Sequence, residues 1–351
     1  MAHSYPPSYR QRELDRVRQA LAAGDSAAIC GLSGAGKSNA LRCLAEYPPT
    51  DVTLTVVDAN ALVEPTADAL FEALAEGLAA PPGTTPLTRL RAGVAAHLKS
   101  GPGRLTLVID RFEAVAGSAA GPLRALRDLH KYRLSYAIGL RRPMDATNEL
   151  AELFFGTTLW LGPLSEADAA WTIDRFCARR GLKWPQATIT RLQQISGRYP
   201  SFLRAACEAH AADVALDPLA LAGHPAVRAR LNEFWADQPT EDELLACALL
   251  PLPPIAQRAG ETPAATAFDD IHLTAKESQL LNYLRARPGA VCTKDELIRA
   301  VWPEDAVFTQ GVRDDALAQL VRRLREKIEP DPASPRHVLT SPGRGYRFSA
   351  G

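Results

Sequence analysis

The stretch Ala27 to Ser38, AAICGLSGAGKS, decides the fold. Its first four residues make a short apolar run suited to a buried strand, and Gly31 to Ser38 fit the spacing GxxxxGK[ST]. A helical pattern over Ala40 to Ala45 follows directly, so the glycines lie between a strand and a helix, the context that gives this spacing its meaning. Gly31, Gly34 and Gly36 let the main chain wrap an anion so that successive N–H groups and the first helical turn face it. Lys37 is expected to reach the β and γ phosphates of a nucleotide, and Ser38 to offer its hydroxyl to Mg²⁺. Ser33, Ala35 and Asn39 complete the expected cradle. The plainer alternative is a glycine-rich turn that only caps a helix.

Outward from this loop, β-prone runs at Val52 to Val57, Leu105 to Ile109, Leu134 to Gly139 and Thr157 to Leu161 alternate with helical patterns. Alternation at this spacing predicts a parallel α/β sheet. A nucleotide site also needs a carboxylate at the end of a buried strand for the magnesium shell, and Leu105 to Asp110, LTLVID, supplies Asp110. Arg111 comes next, and the following acid is Glu113. The same DxxE spacing also fits a capping box, in which Asp110 and Glu113 simply start a helix. From Leu164 to about Leu250 the strand signals stop, and helices are expected from Ser165, over Gln186 to Ile195 and after Pro200. Pro251 to Asp270 carry four prolines without apolar periodicity and read as an exposed linker. The expected domains are residues 1–162, 163–250, 251–270 as linker, and 271–351.

With 351 residues, 46% hydrophobic, the chain has material for two or three domains. Forty basic residues balance forty acidic ones, which excludes a general nucleic-acid coat and confines any such contact to a local patch. Six scattered cysteines form no CxxC pair, so zinc fingers and disulfide frameworks are not expected and a reducing, cytoplasmic setting is. No apolar run approaches the roughly 18 residues of a membrane span.

The lysine loop, the later strand aspartate and the intervening strand Val52 to Val57 together resemble the additional-strand class of P-loop ATPases, which includes the AAA+ and STAND families. No NKxD motif is present, so ATP is favoured over GTP. IDRFEAV looks like the DxFE form of STAND-type ATPases, which implies a catalytic role for Glu113 beside Lys37 and Asp110. YRQRE, Tyr9 to Glu13, looks like the RxxE segment that lies near the adenine in these proteins. The strand Leu134 to Leu140 runs into Arg141 and Arg142, where the resemblance implies a phosphate-sensing arginine, Arg141; a solvated arginine is the alternative. SGRYP, Ser196 to Pro200, resembles the lid GxP motif, with Pro200 at the base, but Arg198 stands where its first glycine is usual. Arg198 is alternatively a lid arginine near the phosphates.

Leu273 to Phe348 resembles the winged helix of OmpR/PhoB-type response regulators. Thr274 to Glu277 and Thr293 to Glu296 are TxxE capping boxes, and Trp302-Pro303 should end the second helix. Between Asp315 and Ile328, Leu317, Leu320, Val321, Leu324 and Ile328 mark one buried face. The opposite face carries Gln319, Arg322, Arg323 and Glu326, flanked by Arg325 and Lys327. Arginine and glutamine suit guanine edges, adenine edges and phosphates, although such a face on its own is commonly just solvated. His337 to Ser349 then reads as a β-hairpin with a glycine-rich tip, with Thr340, Gly343, Gly345, Tyr346, Arg347 and Phe348 matching the TxxGxGYRF ending of that family. Arg344 at the tip is placed for a minor groove or phosphates. Between Gln319 and Arg347 the local charge is +4.

The fold class expected is therefore α/β, a P-loop NTPase parallel sheet with a helical lid, plus a C-terminal winged helix-turn-helix domain. The function it implies is ATP- and Mg²⁺-dependent binding of double-stranded DNA by a STAND-like transcriptional regulator, with the nucleotide setting the winged helix or self-association through the linker. Alternatives are a DNA-acting ATPase of the origin-recognition or transposition kind, a defence or signalling switch working with a sensor protein, and a winged domain used only for protein docking.

Overall fold

A computed structural model describes residues 4–257, 273–285, 291–302, 312–329, 331–332 and 334–348. The chain divides into two compact units, Met1–Ala256 and Gln257–Gly351.

The first unit runs α1 (Gln11–Ala23), β1 (Ala27–Cys30), α2 (Lys37–Glu46), β2 (Val52–Asp58), α3 (Ala67–Gly77), α4 (Pro86–Lys99), β3 (Arg104–Asp110), α5 (Ala116–His130), β4 (Leu134–Leu140) and β5 (Thr158–Trp160). Helices α6 (Glu166–Arg180), α7 (Gln186–Ser196), α8 (Pro200–His210), α9 (Pro218–Gly223), α10 (Pro225–Ala236) and α11 (Glu241–Ala246) follow. The five strands form one parallel sheet in the order β2-β3-β4-β1-β5. Burial follows that order: every residue of β1 and β4 is buried, as helices on both faces require, whereas β2 at the edge alternates buried and exposed positions.

Chain order and sheet order differ at β2. Val52–Asp58 intervenes in the chain between the lysine loop and Asp110, but in the sheet it lies outside β3. The strand inserted between β1 and β3 is β4, so it is β4 that sits between the loop strand and the aspartate strand. Parallel crossovers allow sequence order and spatial order to differ, because each return passes over a face of the sheet through a helix.

The helices after β5 share a core with the start of the unit: Ile173, Phe202, Leu203 and Phe234 belong to the same buried cluster as Leu14, Ile29 and Leu41. Ser165 caps α6 through its hydroxyl, and Gly181, at φ 67°, ends it. The start of the expected exposed linker is part of this core. Ile255 and Ala256 are 1% and 2% exposed, and Pro254–Ala256 form a short turn packed on α7 and α9. Prolines here rigidify a packed turn, and the apolar side chains between them outweigh the lack of periodicity. Residues 258–270 of that stretch, with Pro303 and Ser349, lie outside the described residues.

The second unit contains α12 (Ala275–Arg285), β6 (Val291–Thr293), α13 (Lys294–Val301), α14 (Val312–Ile328), β7 (Val338–Ser341) and β8 (Gly345–Phe348). Its antiparallel sheet has the order β6-β8-β7. Leu280, Leu284, Leu297, Leu317, Val321, Leu324 and Phe348 close a core of its own. Both TxxE segments form: Thr274 N–H donates to Glu277 Oε2 at 2.7 Å, and Thr293 and Glu296 make a reciprocal capping box, each cap contributing about 1 kcal/mol. Trp302 terminates α13. Among the described residues, no helix is long and apolar enough to cross a membrane, and all six cysteines are buried and outside any disulfide.

Candidate functional site

The loop between β1 and α2 takes the path its glycines permit. Gly34 and Gly36 both lie at φ 87°, a left-handed conformation that a side chain disfavours. At Gly34 space is as restrictive as torsion, since a Cβ there would come within 2.0 Å of Ser201 Oγ, whereas one on Gly36 would make an ordinary contact with Pro200 Cγ at 3.4 Å. Gly36 is the N-cap of α2, so Lys37, Ser38 and Asn39 occupy its first turn, where unpaired N–H groups favour an anion.

The Lys37 ammonium donates to the Gly31 carbonyl at 2.6 Å and more weakly to that of Leu32. Burial holds its pKa below the ordinary 10.5, with Glu113 and then Asp110 pulling it back up. Both sequence-predicted carboxylates therefore act on this one ammonium. Asp110, 4% exposed, ends β3 and accepts from the Arg111 N–H at 2.9 Å. Gly139 on the neighbouring β4 makes room for it, since a Cβ there would stand 2.6 Å from Asp110 Oδ1. The DxxE capping box does not form: the short helical turn Phe112–Ala114 is capped by Arg111 at φ 54°, with no side-chain bond. Glu113 is exposed within that turn.

Other groups reach the same loop from distant parts of the chain. Arg10, 2% exposed, donates from its guanidinium to the carbonyls of Ala35 at 2.8 Å and Gly162 at 2.9 Å, and pairs with Glu13 at 3.4 Å. The RxxE segment thus braces the outside of the loop. Tyr199 donates its hydroxyl to the Ser33 carbonyl at 2.9 Å, and Ser201 N–H donates to Gly34 O at 3.2 Å. Tyr5 donates its hydroxyl to Asn39 Oδ1 at 3.0 Å. Pro200, the first residue of α8, therefore stands against the glycines of the phosphate loop. Arg198 lies at φ 58°, the conformation for which the GxP pattern normally carries glycine, and its N–H donates to Gln193 O and Ser196 Oγ.

Arg141 does not stand alone after β4. It pairs with Asp237, a residue sequence reasoning passed over, at 3.0 Å. Asp237 also accepts from Ser33 N–H at 2.6 Å and from the Ser33 hydroxyl at 3.0 Å. Nothing local marks Asp237: it follows α10 without motif or periodicity, and only the fold brings it to a loop 204 residues away. An open cleft nearby is lined by Ser8, Gln11, Arg12, Glu13, Asp15, Ser165, Ala167 and Asp168, none of them in the phosphate loop.

In the second unit, α14 buries Leu317, Leu320, Val321, Leu324 and Ile328 and exposes Gln319, Arg322, Arg323 and Glu326, the division its periodicity predicts. Arg322 pairs with Glu326 at 3.0 Å along that face. Arg325 turns inward, donating to the Val338 carbonyl at 2.7 Å and to Thr340 Oγ1 at 2.8 Å. Glu329, 7% exposed, accepts from the N–H groups of Arg336, His337 and Val338, so the end of α14 clamps the start of β7. Arg344 and Arg347 are exposed, the first in the β7-β8 turn and the second on β8. Lys327 departs from its expected place on the nucleic-acid face: its ammonium donates to the buried Glu277 at 2.7 Å. A buried carboxylate needs a partner more than a solvated lysine needs a phosphate.

Two family patterns match this chain. An AAA domain covers residues 22–160, and the C-terminal domain of transcriptional regulatory proteins covers residues 269–348. Among solved structures, the chain is similar to a Walker-type ATPase of Pyrococcus abyssi at 11% identity and TM-score 0.48, over 97% of this chain and 93% of that one. It is similar to the Holliday junction branch migration motor RuvB of Thermotoga maritima at 15% identity and TM-score 0.39, covering 97% and 90%. The Aeropyrum pernix Orc1 protein, solved in complex with DNA, matches at 14% identity and TM-score 0.42, covering 97% and 89%. The chain thus joins a P-loop ATPase domain of AAA type to a winged-helix domain of transcriptional-regulator type.

Proposed function

We propose that this chain, an AAA domain followed by a transcriptional-regulator DNA-binding domain, is a STAND-like regulator whose binding of double-stranded DNA is set by ATP and Mg²⁺ at the first domain. The observation that carries the reading is the loop itself: Gly34 and Gly36 are held left-handed, Gly36 caps α2, Lys37 opens its first turn, and Asp110 ends the buried strand β3. A loop that only capped a helix would need neither two left-handed glycines nor a lysine turned back onto the Gly31 carbonyl.

The residues suit the group. Gly31 to Asn39 would hold the phosphates through main-chain N–H groups and the Lys37 ammonium. Ser38 and Asp110 offer the hydroxyl and carboxylate oxygens that a hard divalent cation prefers. Mg²⁺ held by Ser38 and Asp110 would supply positive charge to offset that of the phosphates. Glu113, exposed and close enough to Lys37 to influence its charge, would orient and deprotonate a water, and Arg141 would meet a phosphate. Arg198 in the α7-α8 turn and Pro200 at the start of α8 would close the site. On the winged unit, Gln319, Arg322 and Arg323 would read base edges and phosphates in a major groove, with Arg344 and Arg347 on the backbone or minor groove. Lys327 serves the unit's own stability through Glu277.

Turning such a regulator from mostly off to mostly on requires the nucleotide to prefer one state by about 10⁴-fold, about 5.5 kcal/mol. The test is DNA affinity of the full chain with ATP, with ADP and without nucleotide, beside a Lys37→Ala variant. The parent should show a nucleotide-dependent affinity and the variant should not; equal affinities in all three conditions for the parent would end the gating reading. Size-exclusion chromatography in the same conditions tests whether self-association is the step that changes.

A further inference from the structure

Asp237 has a donor set that a carboxylate at the end of a helix does not ordinarily command. Its side chain is 1% exposed. Oδ2 accepts from the main-chain N–H of Ser33 at 2.6 Å, and Oδ1 accepts from the Ser33 hydroxyl at 3.0 Å and from the Arg141 guanidinium at 3.0 Å. A loop amide, a loop hydroxyl and a guanidinium are also the donors that a phosphate oxygen would require at this end of the loop. The main chain at Asp237 is held as well, since Arg142 donates to its carbonyl at 2.6 Å and to Glu243 Oε2 at 3.1 Å. The two arginines that follow β4 thus grip two acids of the segment leading from α10 into α11. Gln238, next in the chain, lies at φ 47°, a left-handed conformation with a side chain in place.

We propose that Asp237 is an internal competitor of the nucleotide, a latch that must release Ser33 and Arg141 before those donors can take a phosphate. The inference rests on the nucleotide-site reading above and adds its regulation. A carboxylate and a phosphate cannot both take the one Ser33 N–H, and repulsion between two negative charges opposes holding both against Ser33 and Arg141 at once. Once displaced, Asp237 becomes a buried anion without its partners, which drives residues 237–243 away from the loop. Helix α11 and the turn at Pro254–Ala256 lie between that segment and the second unit, so this is the stretch of chain through which occupancy of the loop would be reported. The contact sets a threshold: phosphate binding must outcompete an anion already supplied by the fold.

The test measures ATP affinity of the full chain by titration with a fluorescent ATP analogue, in the parent and in Asp237→Asn. Asparagine keeps the size and one acceptor but removes the charge. The variant should bind ATP about tenfold more tightly or better, the effect of removing a charge-assisted competitor. If the parent binds ATP and the variant binds equally or more weakly, Asp237 is a structural clamp or an added ligand and the latch is wrong while the nucleotide site stands. If neither binds, it is the nucleotide site itself that is wrong. A measurement on the parent guards against a variant that fails to fold. Hydrogen exchange over residues 237–249 should quicken on addition of ATP while residues 31–38 become protected; unchanged or slower exchange over 237–249 alongside that protection overturns the latch.

Discussion

The ammonium of Lys37 lies 2.6 Å from the carbonyl oxygen of Gly31, so the lysine folds back on the first residue of its own loop. Two main-chain carbonyls, of Gly31 and Leu32, are modest partners for a partly buried charge, and desolvation accordingly lowers the lysine's pKa. A folded-state value below the unfolded one means that the unfolded chain binds more protons between the two values. Stability therefore rises with pH across that window, and below it the charged lysine costs stability. Lys37→Met should abolish ATP binding yet melt at or above the temperature of the parent at pH 7 without nucleotide. A lower melting temperature would show that the ammonium is a structural strut.

The two carboxylates beside Lys37 should separate by role. Asp110→Asn is expected to remove the Mg²⁺ dependence of ATP binding, read by titrating nucleotide with and without EDTA. Glu113→Gln should leave affinity nearly unchanged and slow any ATP turnover by about 10²-fold, the usual contribution of a positioned base. Turnover in Glu113→Gln equal to that of the parent would leave Glu113 without a chemical task.

On the winged unit, removing one phosphate contact should reduce the slope of log affinity against log salt by about 0.9. Arg344→Ala, in the β7-β8 turn, is expected to show that change with sequence preference retained. Arg323→Ala, on the exposed face of α14, should weaken binding by about 1–3 kcal/mol at a preferred base position and relax preference there. Gel shifts with selected and random duplexes across a salt series distinguish the two, and absence of any shift at low salt would make the unit a docking module.

Lys327 should behave differently from its neighbours on α14. Burial pushes the Glu277 carboxyl up, but hydrogen bonds from Lys327 and from the main chain and hydroxyl of Thr274 outweigh it and hold the group below the ordinary 4.5. A depressed folded-state value gives stability that is present above pH 4.5 and lost as pH falls through the lower folded value. Lys327→Ala should destabilise the winged unit by about 1–3 kcal/mol, the cost of a buried charged group left without its partner. Glu277→Gln with Lys327→Met should recover part of that loss. Thermal unfolding at pH 7 and pH 4 measures both effects.

Much of this architecture was legible because the decisive signals are local. Ala27 to Ser38 announce strand, loop and helix within twelve residues, and the TxxE caps, the Trp302 stop and the apolar face of α14 each depend on neighbours a few positions away. The loop conformation was legible to the same degree: Gly34 and Gly36 take the left-handed conformation, and Gly36 caps α2, as the spacing implies. The motif at Ser196 to Pro200 brings Pro200 to the glycines of the loop. What misled the reading was composition taken for exposure, as with Ile255 and Ala256.

The sequence by itself determined the elements, their caps, the phosphate loop and the basic face of α14, since each follows from torsional preference and periodicity over a few residues. Only the tertiary structure decided that β4 stands between β1 and β3, that Arg10 braces Ala35, that Lys327 belongs to Glu277, and that Asp237 reaches Ser33 across 204 residues. The physical reason is common to all four. A buried charge must find its partner wherever packing brings one, and packing is settled by the joint burial of distant apolar faces, which no local pattern records.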